Sequence, residues 1–172
     1  ELKIGDRIWL SKSPSGNFTY DDSLVTEGAN LVLCTSGGGL APLICMLVAH
    51  LNLIPERRVV LIHGVRHSWD LGYRSLLMTL QDLRPTFTYL PTISQPEDEI
   101  VPWMGELGGV QDVWREGAIE KAWAFRPAAG HTHVFLCGSP EMTDSMVELL
   151  EGEDFNVDTE SEHGQVHVEK FW

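Results

Sequence analysis

A doubly wound α/β fold around a parallel five-stranded sheet is predicted by three features of the sequence: continuous apolar runs, amphipathic stretches between them, and glycine or proline at the junctions. The runs are Leu31-Val32-Leu33-Cys34, Val59-Val60-Leu61-Ile62 and His133-Val134-Phe135-Leu136-Cys137. Unbroken hydrophobicity marks a strand buried on both faces, the condition of a parallel sheet covered by its crossover helices. Strand and helix signals alternate along the chain, and that order builds βαβ units.

The elements follow in order. Leu2 to Leu10 alternates apolar and polar residues, as a half-solvated antiparallel strand does, and Pro14-Ser15-Gly16 reads as a turn. Residues 1–27 are therefore expected to be a short antiparallel remnant of another domain, with the main domain spanning 28–172. After the first apolar run come Ser36-Gly37-Gly38-Gly39 and a helix from Leu40 to about Leu53, with Pro42 tolerated in its first turn and Pro55 as a stop. The second run leads to a helix expected over Trp69 to Leu83, with the stripe Leu76, Leu77 and Leu80 and the stop Pro85. Phe87 to Leu90 is a third strand, Gly109 to Ala122 holds another helix, and Pro140 to Leu150 is the helix after the Cys137 strand.

Composition narrows the function. With 12 Lys and Arg against 25 Asp and Glu, the formal net charge of -13 repels polyanions, so nucleic acid and anionic membranes are poor partners. No apolar run is long enough to span a bilayer, and the N-terminus lacks the layout of a signal peptide, so a cytoplasmic location is expected. Three cysteines, Cys34, Cys45 and Cys137, sit in apolar stretches without a CxxC pair and read as reduced thiols. The seven histidines are scattered, so no metal site is expected; His131 and His133 share a strand face and read as strand-edge residues.

Two loops carry the chemistry. A triple glycine between an apolar strand and a helix lets backbone approach a pyrophosphate whose charge meets the helix N-terminus, although a tight turn would use the same residues. Cys137-Gly138-Ser139-Pro140 again places small residues between a strand end and a helix start. In an open parallel sheet, ligands bind at the carboxyl ends of strands near the switch point, where two such loops converge.

These residues resemble a known family. Thr35-Ser36-Gly37-Gly38-Gly39-Leu40-Ala41-Pro42 is similar to the T-G-T-G-I-A-P signature of the ferredoxin-NADP reductase superfamily, departing from it at Ser36 and Gly38. Cys137-Gly138-Ser139-Pro140-Glu141-Met142 matches C-G-x-P-x-M. His63-Gly64-Val65-Arg66 with Asp70-Leu71-Gly72-Tyr73 resembles the second-strand motif, and Val168-Glu169-Lys170-Phe171-Trp172 the aromatic C-terminus. The resemblance also makes the first 27 residues the end of a flavin-binding barrel. The family's R-x-Y-S flavin motif has no counterpart here and the chain lacks an initiator Met, so an excised fragment, inactive alone and not retaining FAD, is expected.

The resemblance implies the site. NAD(P)H would lie with its pyrophosphate on Gly37 to Gly39 and its nicotinamide beside Cys137, and hydride would pass between nicotinamide C4 and flavin N5 of FAD. Glu169 matches a carboxylate that steadies charge and proton traffic, Phe171 the aromatic that covers the flavin, and Trp172 an extra terminal aromatic. Thr35, Ser36, Pro42, Gly138, Ser139, Pro140 and Met142 belong to the binding loops, and Arg66 to the adenosine end, with Arg74 beyond it. Where the family places arginines for a 2′-phosphate, this chain has Gln95 after Ser94 and Glu106 after Gly105, which leans toward NADH or dual use. The implied partner is a ferredoxin or flavodoxin. The reductase component of an oxygenase, a flavin reductase and a non-catalytic nucleotide-binding module share these motifs and stay open.

Overall fold

The computed structural model describes residues 3–13, 18–20, 28–159 and 161–170. Its sheet contains β1 (Asn30–Ser36), β2 (Val59–Val65), β3 (Phe87–Ile93), β4 (Glu106–Leu107), β5 (Thr132–Gly138) and β6 (Val166–Lys170). The spatial order is β4-β3-β2-β1-β5-β6, and every neighbouring pair is parallel. The doubly wound parallel fold is thus the one expected, with six strands rather than five. The two-residue β4 extends the sheet by pairing Glu106 and Leu107 with Thr92 and Ile93 of β3, too short a run for periodicity to reveal.

Among the described residues five α-helices cover the sheet: α1 (Leu40–Leu53), α2 (Arg74–Leu83), α3 (Val110–Arg115), α4 (Ala118–Trp123) and α5 (Pro140–Glu151). Because successive strand residues point to opposite faces, each apolar run feeds two cores. Val32, Cys34, Val60, Ile62, Val134 and Leu136 pack with α3, α4, α5 and Phe155, whereas Leu31, Leu33, Val59, Leu61, Phe135 and Cys137 pack with α1 and Leu77 of α2. No helix is long and apolar enough to cross a membrane among the described residues.

Local backbone chemistry moved two helix boundaries. The helix expected from Trp69 begins at Arg74, because Tyr73 adopts a left-handed conformation (φ 57°) and Ser68–Asp70 form only a 3-10 turn. The helix expected over Gly109 to Ala122 is two short helices, divided where Gly117 takes φ 71°.

The expected antiparallel N-terminal strand is corrected. Residues 3–13 contain no strand, and Ile4, Ile8, Trp9 and Leu10 are exposed. An alternating pattern becomes a strand only where a neighbour satisfies its N–H and C=O groups, and no described strand pairs with this segment. The turn expected at Pro14 to Gly16 lies outside the described residues. Phe18 and Tyr20 instead dock on the α1 side: Phe18 meets the Phe135 ring edge-on at 5.6 Å, and the Tyr20 hydroxyl lies 2.9 Å from His50 Nδ1. Cys34 and Cys137 are buried free thiols, whereas Cys45, expected in apolar surroundings, is exposed on the outer side of α1.

Candidate nucleotide-binding site

The switch point lies between β1 and β5, which leave the centre of the sheet for helices on opposite faces. Their registers place Thr35 beside Cys137, so the loops after both strands emerge side by side at the carboxyl edge. The loops interlock. A methyl group on Gly39 would overlap the Cys137 carbonyl oxygen, and one on Gly138 would overlap Ser36 Oγ, so neither position accepts a side chain in this arrangement. Gly37 takes φ 55°, turning the chain into a 3-10 turn that runs directly into α1. At the other loop, Ser139 caps α5 by accepting the Met142 N–H at 3.3 Å, with Pro140 in the first turn.

A cleft of about 710 Å³ opens over these loops. Ser36, Gly37 and Gly64 form its floor, and Ser139, Glu141 and Met142 one wall. Arg66, Asp70 and Ser94 line the end over β2 and β3, and Gly108 to Gln111 close it from the α3 side. Arg66 makes no ion pair among the described residues and keeps its charge available. Asp70 is steered by His67, whose Nδ1 lies 3.3 Å away, while His67 Nε2 lies 3.3 Å from Asp98. Ser68 donates its N–H and its hydroxyl to the two Glu99 carboxylate oxygens, each at 2.6 Å. Arg74 stacks 4.9 Å above the Trp103 ring. These contacts tie the segment after β2 to the loop before β4 and so hold the Arg66 end of the cleft in place.

The expected site residues separate into those that line the cleft and those beneath or beside it. Ser36, Gly37, Arg66, Ser94, Ser139 and Met142 line it. Thr35 is fully buried beneath the glycine loop, with Oγ1 lacking a hydrogen-bond partner. Gly38, Gly39, Pro42, Gly138 and Pro140 shape the loops and helix starts. Cys137 is fully buried on the α1 side, and burial, reinforced by Glu169 beside it in β6, pushes its thiol up to about 12. That thiol stays protonated and is no nucleophile. Gln95 donates its backbone N–H to the Arg66 carbonyl at 3.0 Å, and Glu106 accepts the Trp103 indole N–H on its carbonyl at 2.8 Å. Neither side chain lines the cleft. Phe171 and Trp172 lie outside the described residues. Asp70, Gln111 and Glu141 line the cleft without having been singled out as site residues; the Gly108-Gly109 pair ahead of α3, a third small-residue loop, was the available signal.

Residues 33–148 match the family described as the oxidoreductase NAD-binding domain. The chain belongs to this family. As an oxidoreductase NAD-binding domain it is 30% identical over 159 residues to the reductase component DmpP of phenol 2-monooxygenase from Pseudomonas sp. (strain CF600), covering 92% of this chain and 42% of that protein. It is 27% identical over 160 residues to a ferredoxin-NADP reductase from Azotobacter vinelandii, covering 88% of this chain and 59% of the relative. The chain therefore spans 42% to 59% of the length of these two relatives. Among solved structures, a ferredoxin NADP+ reductase from Neisseria gonorrhoeae with bound FAD and NADP superimposes with a TM-score of 0.74 at 21% identity, covering 92% of this chain and 61% of that one. The Amycolatopsis cytochrome P450 reductase GcoB superimposes with a TM-score of 0.72 at 26% identity, covering 92% and 42%. The resemblance to the ferredoxin-NADP reductase superfamily, read from the motifs, is borne out.

Proposed function

We propose that this domain binds a nicotinamide dinucleotide across the β1–β5 junction and serves as the NAD(P)H half of a flavoprotein reductase. The observation that carries the proposal is the interlocking of two glycine loops at the switch point, under a cleft open to a basic side chain. The residues fit the group: Gly37, with open space where a Cβ would sit, offers bare backbone in the cleft to a pyrophosphate, α1 begins directly after the glycine turn so that its N-terminal end favours the charge, and Arg66 supplies positive charge. Residues 1–27 are the end of a FAD-binding barrel in this reading, and 28–172 the dinucleotide domain. The dinucleotide supplies a hydride, two electrons with one proton, from nicotinamide C4 to flavin N5. The chain's own part is orientation: loop backbone fixes the phosphates, Cys137, packed in the α1-side core, anchors the end of β5, and Glu169 beside it holds negative charge near the nicotinamide end. Phe171 and Trp172 complete the assignment as flavin-side aromatics.

The electron acceptor is a ferredoxin, a flavodoxin or the oxygenase component of a multicomponent system; the similarity to DmpP supports the last as strongly as the similarity to the Azotobacter enzyme supports the first. A reducing cytoplasmic setting accompanies this reading, supported by the free cysteines. Titration with NADH, followed by its fluorescence, should show saturable binding, and the 172-residue chain should be colourless and lack diaphorase activity until joined to a flavin barrel. A joined protein that binds FAD and NADH yet transfers no electrons to ferricyanide would favour a non-catalytic nucleotide-binding module.

NADH is preferred in this proposal. A 2′-phosphate needs cations around it, but the Arg66 end of the cleft also carries the Asp70 carboxylate, which accepts hydrogen bonds from a ribose diol and repels a phosphate. Asp70→Asn should improve NADP+ affinity relative to NAD+ by about fivefold, the size of one screened like-charge contact. A wild-type preference for NADP+ that survives Asp70→Asn and the Gln95→Arg, Glu106→Arg pair would overturn it.

A further inference from the structure

We infer that Ser36 is a positioning residue whose hydroxyl sets the spacing of the two glycine loops, and with it the reach from the pyrophosphate to the nicotinamide end of the cleft. The inference rests on the dinucleotide reading above and adds a role for one side chain within it. Ser36 is the last residue of β1, held in register with Gly64 of β2, so its backbone is fixed by the sheet. Its Oγ accepts the Ser139 N–H at 3.0 Å and lies 3.5 Å from Ser139 Oγ. Among the described residues no other side-chain hydrogen bond joins the two loops. Ser139 is already occupied in capping α5 through its own hydroxyl, so the crossing contact uses the backbone N–H that the cap leaves over.

The hydroxyl sits where a small change has a long lever. Gly138 packs directly under Ser36, with no room for a Cβ, so the loops touch at this point and diverge into α1 and α5. Ser36 and Ser139 both line the cleft, on the floor and on the wall. A ligand held by the first loop alone is indifferent to their spacing; one that must touch both loops is not. Losing the hydroxyl frees the α5 start to move relative to the glycine loop and leaves the Ser139 N–H without its acceptor.

The test compares NAD+, which spans both loops, with AMP, which reaches only the adenosine side, by calorimetry on the 172-residue chain. Ser36→Ala should weaken NAD+ about fivefold to tenfold, the usual scale of one lost hydrogen bond, and leave AMP within about twofold. Ser36→Thr, which keeps the hydroxyl, should restore the wild-type ratio. If Ser36→Ala does not fold, Ser36→Cys, nearly isosteric but a poor acceptor, supplies the same ratio. Equal weakening of NAD+ and AMP would reduce Ser36 to a general structural role and overturn the inference, as would an unchanged NAD+ affinity. An unaltered chain that binds neither ligand would overturn the dinucleotide reading and the positioning role together.

Discussion

At Gly39 the backbone of one loop lies against the carbonyl of another, and neither partner can withdraw without disturbing the sheet. A methyl group there meets the Cys137 carbonyl rather than the end of a flexible side chain, so Gly39→Ala forces the loops apart. The expected cost is about 2 to 3 kcal/mol, typical of overpacking against an unyielding neighbour, read as a lower urea midpoint together with loss of NADH binding. The buried histidines make a second residue-scale prediction. His50 and His63 are each nearly inaccessible, and burial lowers each from the ordinary imidazole value of 6.5 to about 4. His50 pairs with the Tyr20 hydroxyl at 2.9 Å and His63 with the Tyr89 hydroxyl at 3.1 Å. Between those limits the unfolded chain binds more protons than the folded one, so stability is complete above pH 6.5 and declines as the pH falls toward 4. The loss should approach about 3 kcal/mol per histidine, and His50→Leu should remove about half of the pH dependence of the urea midpoint between pH 6.5 and 4, leaving the part carried by His63. An unchanged slope would show that His50 does not carry the effect.

At the scale of elements, the short helices behind the cleft are governed by single backbone conformations. Gly117 separates α3 from α4 at φ 71°, and a Cβ there would meet nothing closer than 3.8 Å. The strain of Gly117→Ala is therefore conformational alone, and thermal unfolding should report a loss of about 1 to 2 kcal/mol. An alanine variant as stable as the parent would mean that the break between the helices is not fixed by this residue. α2 shows a different limit. Its apolar stripe was legible, yet Leu77 alone is fully buried, while Leu76 and Leu83 remain 57% and 70% exposed. A periodic pattern identifies the helix but not how deeply it sits, because depth depends on whether neighbours meet it on both sides.

At the scale of the molecule, stability should be graded outward from the centre of the sheet. β1 and β2 are buried at every residue except their last, and β5 at all but His133, and their side chains feed cores on both faces. β4 has two residues and one partner strand, and β6 is mostly half-exposed. Amide exchange should therefore be slowest in β1, β2 and β5, near the global unfolding limit, and much faster in β4 and the outer part of β6. Equal protection in β4 and β1 would contradict the graded core. Dinucleotide binding should slow exchange further at 36–39 and 138–142, the loops that meet at the cleft.

The sequence by itself determined the alternation of strand and helix, the buried character of the central strands and the two small-residue loops, because each depends on neighbours within a few positions. Hydrophobic runs, proline stops and glycine turns are local signals of that kind. Tertiary structure decided the rest. The alternating segment at 3–13 forms no strand, since strand formation needs a partner and periodicity does not supply one. Two-residue β4 exists because Thr92 and Ile93 offer an edge to pair with. Asp70, Gln111 and Glu141 come from three distant segments, and Gln95 and Glu106 are not among the residues that line the cleft. Which side chains share a cleft follows from the order β4-β3-β2-β1-β5-β6, and strand order is a property of long-range packing on two faces at once.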